Sequence, residues 1–243
     1  MREIVWIIGA SDGIGAALAR AYAARGAHLV LSARSEDALE KLKTEIDESG
    51  SSAEVHPLDV ADRASLETAV EGLADVTRVI HLAAIYDPGK VADIDPEMAA
   101  KIVTVNLTGT LNVAQITPKA LRKGGQLALC GSVAGYMGLP QGQIYSATKA
   151  GVINLAESLR VEARDQLDVR LISPGFVDTR LTKKNDFTMP ALVTPEVAAA
   201  AIVKGLDGRR FEVHFPRRLT LALKLLRALP YGLSLPLTRR LVT

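Results

Sequence analysis

The sequence predicts an α/β protein with a doubly wound fold: a seven-stranded, mostly parallel sheet with helices on both faces. Short apolar runs alternate with helix-favouring stretches along almost the whole chain of 243 residues. The runs are apolar at successive positions, which is typical of strands buried on both faces of a parallel sheet. The length suits one large α/β domain, and a hydrophobic content of 48% suits a sizeable core.

Seven apolar runs are predicted as strands, and the amphipathic stretches between them as helices. The predicted strands are 4–8, 28–34, 53–60, 76–84, 125–133, 169–175 and 211–215. The predicted helices are 13–26, 36–50, 63–74, about 96–121, the stretch that contains Tyr145, and one that begins near Pro195. We interpret 1–216 as a single domain and 217–243 as a basic, amphipathic tail.

The composition excludes several classes of protein. A net charge of +2 is too small to argue for nucleic-acid binding. Cys130 is the single cysteine, so an internal disulfide is excluded and a reducing compartment is indicated. The four histidines lack metal-ligand spacing, and no metal site is predicted. The first apolar run is short and leads directly into a glycine-rich loop, so we interpret it as a strand rather than a signal peptide and predict a cytoplasmic protein.

The segment GASDGIG, residues 9–15, lies between the first predicted strand and the first predicted helix. Glycines at this point permit a tight turn and a close backbone approach to a pyrophosphate on the helix N-terminus. The spacing is G-x-x-x-G-x-G rather than G-x-G-x-x-G, and a turn without a ligand is the alternative. We favour a dinucleotide site. Its predicted contacts are Gly9, Ser11, Asp12, Gly13, Ile14 and Gly15.

The end of the second predicted strand is expected to reach the adenosine ribose of such a dinucleotide. An acidic residue there binds the 2′-hydroxyl, whereas an arginine accepts a 2′-phosphate. The strand ends in Ala33 and Arg34, and the next acidic residue is Glu36. Arg34 therefore favours NADPH over NADH.

Tyr145 and Lys149 form the second motif, at the start of a stretch rich in alanine, leucine, glutamate and arginine. This composition favours a helix, and a spacing of four places both side chains on one helix face, one turn apart. A phenol has a reference pKa of about 10, which a nearby ammonium ion lowers. The pair is either a tuned acid/base or an ordinary exposed pair, and the spacing alone leaves both open.

In these motifs the chain resembles the short-chain dehydrogenase/reductase family, whose catalytic domain has a Rossmann fold; the resemblance covers about 1–216. It rests on the glycines, the Tyr-x-x-x-Lys motif, and matches in LDV, VNLTGT, CGSVAG and SPGFVDT, all in the family's order. It implies the catalytic residues Asn106, Ser132, Tyr145 and Lys149. It also implies cofactor contacts at Asp59, Val60, Ala83, Tyr145, Lys149, Pro174, Gly175, Val177 and Thr179.

The resemblance implies a role for each catalytic residue in hydride transfer between NAD(P)H and a ketone or aldehyde. Tyr145 is the general acid, or the base in the reverse direction. Lys149 lowers the pKa of the tyrosine and holds the ribose hydroxyls. Ser132 hydrogen-bonds the carbonyl oxygen, and Asn106 holds a water molecule in a proton relay. The expected activity is that of an NAD(P)-dependent oxidoreductase acting on CH–OH or carbonyl groups.

Two departures from the family pattern leave alternatives open. The Asn-Asn-Ala-Gly segment of the family is replaced by 81–84, His-Leu-Ala-Ala, and Asp12 stands where many NADPH-using relatives carry a basic residue. NADPH stays the preferred cofactor through Arg34, with NADH as the alternative. Rival functions are a non-catalytic NAD(P)-binding regulatory protein, an NAD-dependent alcohol dehydrogenase, and a sugar-nucleotide epimerase or dehydratase, which the short chain disfavours.

The segment after Pro-Gly closes over the substrate in the family. Here it spans about 180–194 and contains Phe187, Met189 and Leu192, so an apolar carbonyl or alcohol substrate is expected. The family also implies a homodimer or homotetramer.

The tail is basic and contains regularly spaced leucines. Residues 213–243 contain six basic residues and no acidic one. If helical from about 219, the tail groups Thr220, Lys224 and Arg227 on one face and Leu219, Leu223 and Leu226 on another. Its charges and Pro230 argue against a transmembrane span. Peripheral contact with an anionic membrane and packing over the substrate cleft or a subunit interface stay open.

Overall fold

The computed structural model describes residues 2–239 and contains, within that range, one sheet of seven strands. The strands are β1 (Ile4–Ile8), β2 (His28–Ser32), β3 (Ser52–Val55), β4 (Val76–His81), β5 (Leu121–Cys130), β6 (Asp168–Pro174) and β7 (Glu212–Phe215). Their order is β3-β2-β1-β4-β5-β6-β7, and each neighbouring pair is parallel. The predicted doubly wound α/β fold is confirmed.

The helices cover both faces of this sheet. They are α1 (Gly13–Ala23), α2 (Glu36–Glu48), α3 (Arg63–Val70), α4 (Pro96–Val103), α5 (Gly109–Ile116), α6 (Gln143–Glu162), α7 (Pro195–Leu206), α8 (Arg217–Ala228) and α9 (Tyr231–Arg239). On one face, Leu18 of α1 and Ile202 of α7 are fully buried. On the other, Leu66 of α3 and Val152 of α6 are fully buried. Two apolar cores therefore hold the sheet between two helical layers.

The order of the strands creates a crevice at the carboxyl end of the sheet. β1 is paired with β2 on one side and with β4 on the other, so the loops after β1 and β4 lead to opposite faces. Ligands of open α/β sheets bind at such a reversal of strand order. The predicted glycine loop follows β1 and lies at this point.

Local sequence explains where the helices beside the crevice begin. The carboxylate of Asp12 accepts a hydrogen bond from the N–H of Gly13 at 2.7 Å, which caps α1. Pro195 opens α7, where a missing N–H costs no helical hydrogen bond. The hydroxyl of Thr194 accepts a hydrogen bond from the N–H of Val197 at 3.3 Å and caps that helix.

The predicted helix over about 96–121 is wrong in its middle and at its end. α4 stops at Val103, a π-helical turn spans Thr104–Thr108, and α5 ends at Ile116. Pro118 has no N–H to continue the helix, and Leu121 already belongs to β5. The π-helical turn contains Asn106, one of the predicted site residues.

The tail forms α8 and α9 up to Arg239, and the partners on the domain, rather than helical spacing alone, determine which of its residues face inward. Thr220 is fully buried and Leu223 is buried beside it. Lys224 pairs with Glu212 of β7, whereas Arg227 is exposed. Polar and apolar residues thus share the inward side of α8, because β7 offers a partner for the lysine. In the described range, 2–239, no helix combines the length and the apolar character that crossing a membrane requires.

Candidate active site

A cleft of about 370 Å³ occupies the crevice at the carboxyl ends of β1, β2 and β4. Most of the predicted cofactor contacts line it: Gly9, Ser11, Asp12, Gly13, Ile14, Gly15, Arg34, Asp59, Val60, Ala83 and Thr179. Tyr145 and Gly175 line a second cavity instead. Lys149, Pro174 and Val177 are buried and line neither.

The cleft also contains residues that the sequence prediction missed. Ser35, Arg180 and Leu181 all line it. Ser35 follows Arg34 directly and Arg180 follows Thr179 directly, so adjacency to a predicted contact is the signal that could have indicated them.

The glycine loop has the geometry that a dinucleotide requires. Gly9 and Gly13 have φ angles of +96° and +53°, a conformation that disfavours other residues. A Cβ atom on Gly9 would lie 2.7 Å from the backbone nitrogen of Ala83, and one on Gly15 would collide with the carbonyl oxygen of Gly9. The loop leads into the N-terminus of α1, whose free N–H groups attract phosphate. The residues present fit a nicotinamide dinucleotide.

The charges around the cleft are mixed. Arg34 is exposed at its edge. The carboxylate of Asp12 lies 3.5 Å from the guanidinium of Arg180, on the segment after β6. Arg180 therefore offsets the negative charge that the glycine loop contributes. Asp59 is oriented by its own turn, since its Oδ1 accepts a hydrogen bond from the N–H of Ala61 at 2.9 Å.

Ser132, Tyr145 and Lys149 come together beyond the carboxyl end of β5. Ser132 follows β5 by two residues, and the other two lie one turn apart on α6. Ser132 and Tyr145 both line the second cavity. Lys149 Nζ lies 5.7 Å from the centre of the Tyr145 ring and donates a hydrogen bond to the carbonyl oxygen of Cys130 at 2.8 Å. Three of the four predicted catalytic residues therefore lie together, with Ser132 and Lys149 beside Tyr145.

Burial sets the protonation of the tyrosine–lysine pair. It raises the pKa of Tyr145; nearby Cys130 adds to this, and the hydrogen bond with Ser132 opposes it. Burial also lowers the pKa of Lys149. The predicted downward shift of the tyrosine's pKa is therefore not found, because the cost of burying a phenolate outweighs the opposing hydrogen bond with Ser132. The phenol is protonated at neutral pH, as a general acid must be.

Asn106, in the π-helical turn, fixes the chain that follows β4. Its Oδ1 accepts a hydrogen bond from the N–H of Ile85 at 2.8 Å, and its Nδ2 donates to the carbonyl oxygen of Ile85 at 2.9 Å. Nδ2 also lies 3.4 Å from the hydroxyl of Thr148 on α6. The side chain of Asn106 therefore connects the cleft wall to the helix that carries Tyr145, a role that the sequence did not indicate.

His81 stands where the family pattern has asparagine. It is buried, and its Nε2 lies 3.0 Å from the hydroxyl of Thr110. That hydroxyl donates to the carbonyl oxygen of Asn106 at 2.6 Å, so we assign the ring proton to Nε2, as donor to Thr110. Burial, with a contribution from Lys149, lowers the pKa of His81 to about 3, and the ring is neutral. His81 thus ties β4 to the π-helical turn.

The second cavity, of about 180 Å³, adjoins Tyr145 and is mainly apolar. Its apolar walls are Val133, Ala134, Leu139, Pro140, Phe176, Leu181, Phe187, Pro190, Leu219 and Leu223. Phe187 lines it as expected, whereas Met189 and Leu192 of the same segment do not. Leu181 lines both this cavity and the cofactor cleft, so the two spaces are neighbours on either side of this residue.

The segment over the cavity is anchored near the tyrosine. The ring of Tyr86 packs edge-on against Tyr145, with centroids 4.8 Å apart. The hydroxyl of Tyr86 donates to Asn185 at 2.8 Å, and Lys184 donates to the carbonyl oxygen of Tyr86 at 2.8 Å. These bonds hold the segment after β6 across the cavity mouth.

Several known proteins are similar to this chain in sequence and in fold. The family model for short chain dehydrogenase matches residues 3–189. An uncharacterized oxidoreductase of Myxococcus xanthus is 31% identical over 242 residues, covering 97% of this chain and 96% of that protein. A protein named as a ketoacyl reductase of the granaticin polyketide synthase of Streptomyces violaceoruber is 33% identical over 195 residues, covering 75% and 71%. A short-chain dehydrogenase from Sphingobium yanoikuyae, solved in complex with NADPH, is 28% identical with a TM-score of 0.80, covering 90% and 92%.

The fold, the cleft and these matches lead to one conclusion: the chain belongs to the short-chain dehydrogenase family. It is an oxidoreductase that uses a nicotinamide dinucleotide, of the class that acts on CH–OH or carbonyl groups. The family resemblance deduced from the motifs is confirmed.

Proposed function

We propose that this protein is an NADPH-dependent oxidoreductase that reduces a ketone or aldehyde of an apolar substrate, or oxidises the corresponding alcohol. The observation that carries the proposal is that Ser132 and Tyr145 line an apolar cavity of about 180 Å³, which shares the lining residue Leu181 with the cofactor cleft. Groups suited to proton transfer thus face a space suited to an apolar molecule. The Streptomyces relative named as a ketoacyl reductase supports a carbonyl substrate.

The proposal gives each residue of the cluster a role. Bound nicotinamide supplies or accepts the hydride at the substrate carbon. Tyr145 donates a proton to the carbonyl oxygen, or removes it in the reverse direction. Ser132 donates a hydrogen bond to the same oxygen as negative charge develops there. Lys149 holds the ribose hydroxyls, and Asn106 holds the backbone between the cleft and α6.

The preference for NADPH depends on Arg34. Its exposed guanidinium can bind a 2′-phosphate at the edge of the cleft, next to Ser35. The ion pair of Asp12 with Arg180 reduces the repulsion between Asp12 and the pyrophosphate that NADH and NADPH share. The alternative is an NAD-dependent alcohol dehydrogenase.

Titration of the purified protein with NADPH and NADH, followed by nicotinamide fluorescence, tests the cofactor preference. The Arg34→Gln variant is expected to bind NADPH about 10- to 100-fold more weakly, because a hydrogen bond to a charged group contributes about 1.5–3 kcal/mol. Its affinity for NADH should not change. Arg180→Gln is the matched control, since it removes an arginine from the same cleft and should affect both cofactors alike. Equal affinity of the unaltered protein for NADH and NADPH would contradict the proposal.

The substrate class is tested by the loss of NADPH absorbance with ketones of increasing chain length. We expect kcat/KM to rise with apolar length, because each added methylene that enters the cavity contributes about 0.8 kcal/mol. A preference for short, polar carbonyl compounds would contradict an apolar substrate.

Location and assembly complete the proposal. We place the enzyme in the cytoplasm as a homodimer or homotetramer, with the tail in peripheral contact with a membrane. Exposed Leu111 on α5 and Val161 on α6 support an apolar contact between subunits. Nucleic acid and metal ions have no part in the proposed function.

A further inference from the structure

The C-terminal helices α8 and α9 bury several polar side chains against the domain and leave many apolar side chains exposed. Thr220 of α8 and both Ser234 and Thr238 of α9 are buried. The outward apolar residues, Leu221, Leu225, Tyr231, Leu233, Leu235 and Leu237, are between 44% and 68% exposed. A helix that only packs on a domain shows the opposite arrangement. Contiguous exposed apolar side chains mark a surface that binds something else.

The same surface is basic. Arg217, Arg218, Arg227 and Arg239 are all exposed, and 213–243 contains no acidic residue. We call Arg217, Arg218, Arg239, Leu221, Leu225, Leu233 and Leu237 together the Leu–Arg surface; the other three residues, Arg227, Tyr231 and Leu235, border a cavity beside Tyr136. Leucines among arginines suit the interface of an anionic bilayer, where apolar side chains enter the acyl boundary and guanidinium groups bind lipid phosphate.

The inner side of α8 belongs to the candidate active site. Leu219 and Leu223 line the apolar cavity next to Tyr145, while Leu221 and Leu225 of the same 12-residue helix point outward. One helix therefore has the Leu–Arg surface on one side and the substrate cavity on the other. An apolar substrate concentrated in a bilayer would be next to that cavity if the Leu–Arg surface lay on the membrane.

We propose that the Leu–Arg surface binds the interface of an anionic lipid bilayer, and that the enzyme takes its apolar carbonyl substrate there. The choice of a lipid partner follows from charge complementarity and from the continuity with an apolar cavity. The delivery of substrate rests on the proposed function, whereas membrane binding does not.

Flotation of the full chain with vesicles tests membrane binding without any need for turnover. The protein should float with vesicles of phosphatidylcholine mixed with phosphatidylglycerol, and much less with phosphatidylcholine alone. Added salt should reduce the floated fraction, because it screens the arginines. Failure to float with the anionic vesicles would overturn the proposal.

Glutamates introduced on the outer side of α8 test whether the Leu–Arg surface is the part of the protein that binds vesicles. The double variant Leu221→Glu/Leu225→Glu should lose at least about ten-fold in vesicle affinity, since it removes two apolar groups and repels anionic lipid. Val91→Glu/Val197→Glu is the matched control, because it puts two carboxylates at exposed valines outside the tail; it should float like the unaltered protein. Equal loss in both variants would show that net charge, and not the Leu–Arg surface, determines binding.

Kinetics separate membrane binding from substrate delivery. With a short, water-soluble ketone the Leu221→Glu/Leu225→Glu variant should keep its kcat/KM, whereas with a long-chain ketone dissolved in anionic vesicles it should lose rate. If the unaltered protein floats but reduces neither ketone, the proposed function fails and membrane binding stands. Light scattering without vesicles gives the remaining outcome. If the unaltered protein is a dimer and the variant is a monomer, the Leu–Arg surface is a subunit interface and the proposal is wrong.

Discussion

Tyr145 lies between groups that act on its hydroxyl in opposite directions. Its apolar surroundings, including the ring of Tyr86 at 4.8 Å, disfavour the phenolate, and the hydrogen bond with Ser132 favours it. Burial has the larger effect and raises the pKa. At the scale of single residues, burial therefore keeps a proton on the phenol, which the proposed role as a general acid requires.

Tyr145→Phe removes that proton and leaves the ring in place. We expect kcat for carbonyl reduction to fall about 10²- to 10⁴-fold, the usual contribution of a positioned acid, while the dissociation constant for NADPH stays unchanged. Steady-state kinetics and a fluorescence titration measure the two effects. Tyr22→Phe is the control, because the Tyr22 hydroxyl is buried without a hydrogen-bond partner inside the described range. Normal turnover by Tyr145→Phe would show that another group is the acid.

The pH dependence of reduction follows from the direction of the same shift. A general acid works while it is protonated, so activity is present below the pKa of Tyr145 and is lost as pH rises through it. Because that pKa lies above the reference value of about 10, kcat/KM for reduction should be level through neutral pH and fall only in strong alkali. The contrary outcome is a fall in kcat/KM centred near neutral pH while the affinity for NADPH, measured by fluorescence, stays constant. It would show that the pKa of Tyr145 is lower in the cofactor-bound enzyme.

At the scale of elements, the π-helical turn Thr104–Thr108 is the part of the site furthest from what periodicity predicts. The sequence placed Asn106 in a continuous helix, and helix-favouring residues stand on both sides of it. The wider turn has non-local partners: the backbone of Ile85 bonds the side chain of Asn106, and His81 bonds the hydroxyl of Thr110, which donates to the carbonyl of Asn106. Contacts between distant segments leave no periodic signal, so the helix was predictable and its bulge was not.

Helix α8 is the element expected to tune substrate length. Leu219 borders the apolar cavity, so Leu219→Ala should enlarge it and shift the best ketone towards longer or bulkier chains. We expect the ratio of kcat/KM for a long ketone to kcat/KM for a short ketone to rise about ten-fold. The reason is that roughly two methylene groups of the long ketone can fill the space that the leucine side chain leaves. Leu221→Ala makes the same chemical change on the outward side and should leave that ratio unaltered in a vesicle-free assay. Identical ratios in both variants would show that α8 does not border the substrate.

At the scale of the whole molecule, the architecture was predictable because parallel strands buried on both faces are apolar throughout. The glycine loop and Arg34 lie at the reversal of strand order, where the connections of β1 and β2 bring them together. The tail was less predictable. Helical spacing alone grouped Thr220 and Lys224 apart from Leu223, but β7 provides Glu212 for the lysine and His214 for the threonine, and those partners decide which side faces inward.

Assembly of the whole molecule is expected to use the surface of α5 and α6. Leu111 and Val161 are 40% and 77% exposed there, and burying such a side chain contributes about 1.5–3 kcal/mol. We expect light scattering to show a dimer or tetramer for the unaltered protein and a smaller species for Leu111→Arg/Val161→Arg. Val91→Arg, which changes an exposed valine outside both helices, should assemble normally. A monomer in the unaltered protein would contradict the proposed assembly. Normal assembly by the double variant would show that the interface lies elsewhere. The exposed leucines of α8 and α9, the other large set of exposed apolar residues in 2–239, would then be the next to test.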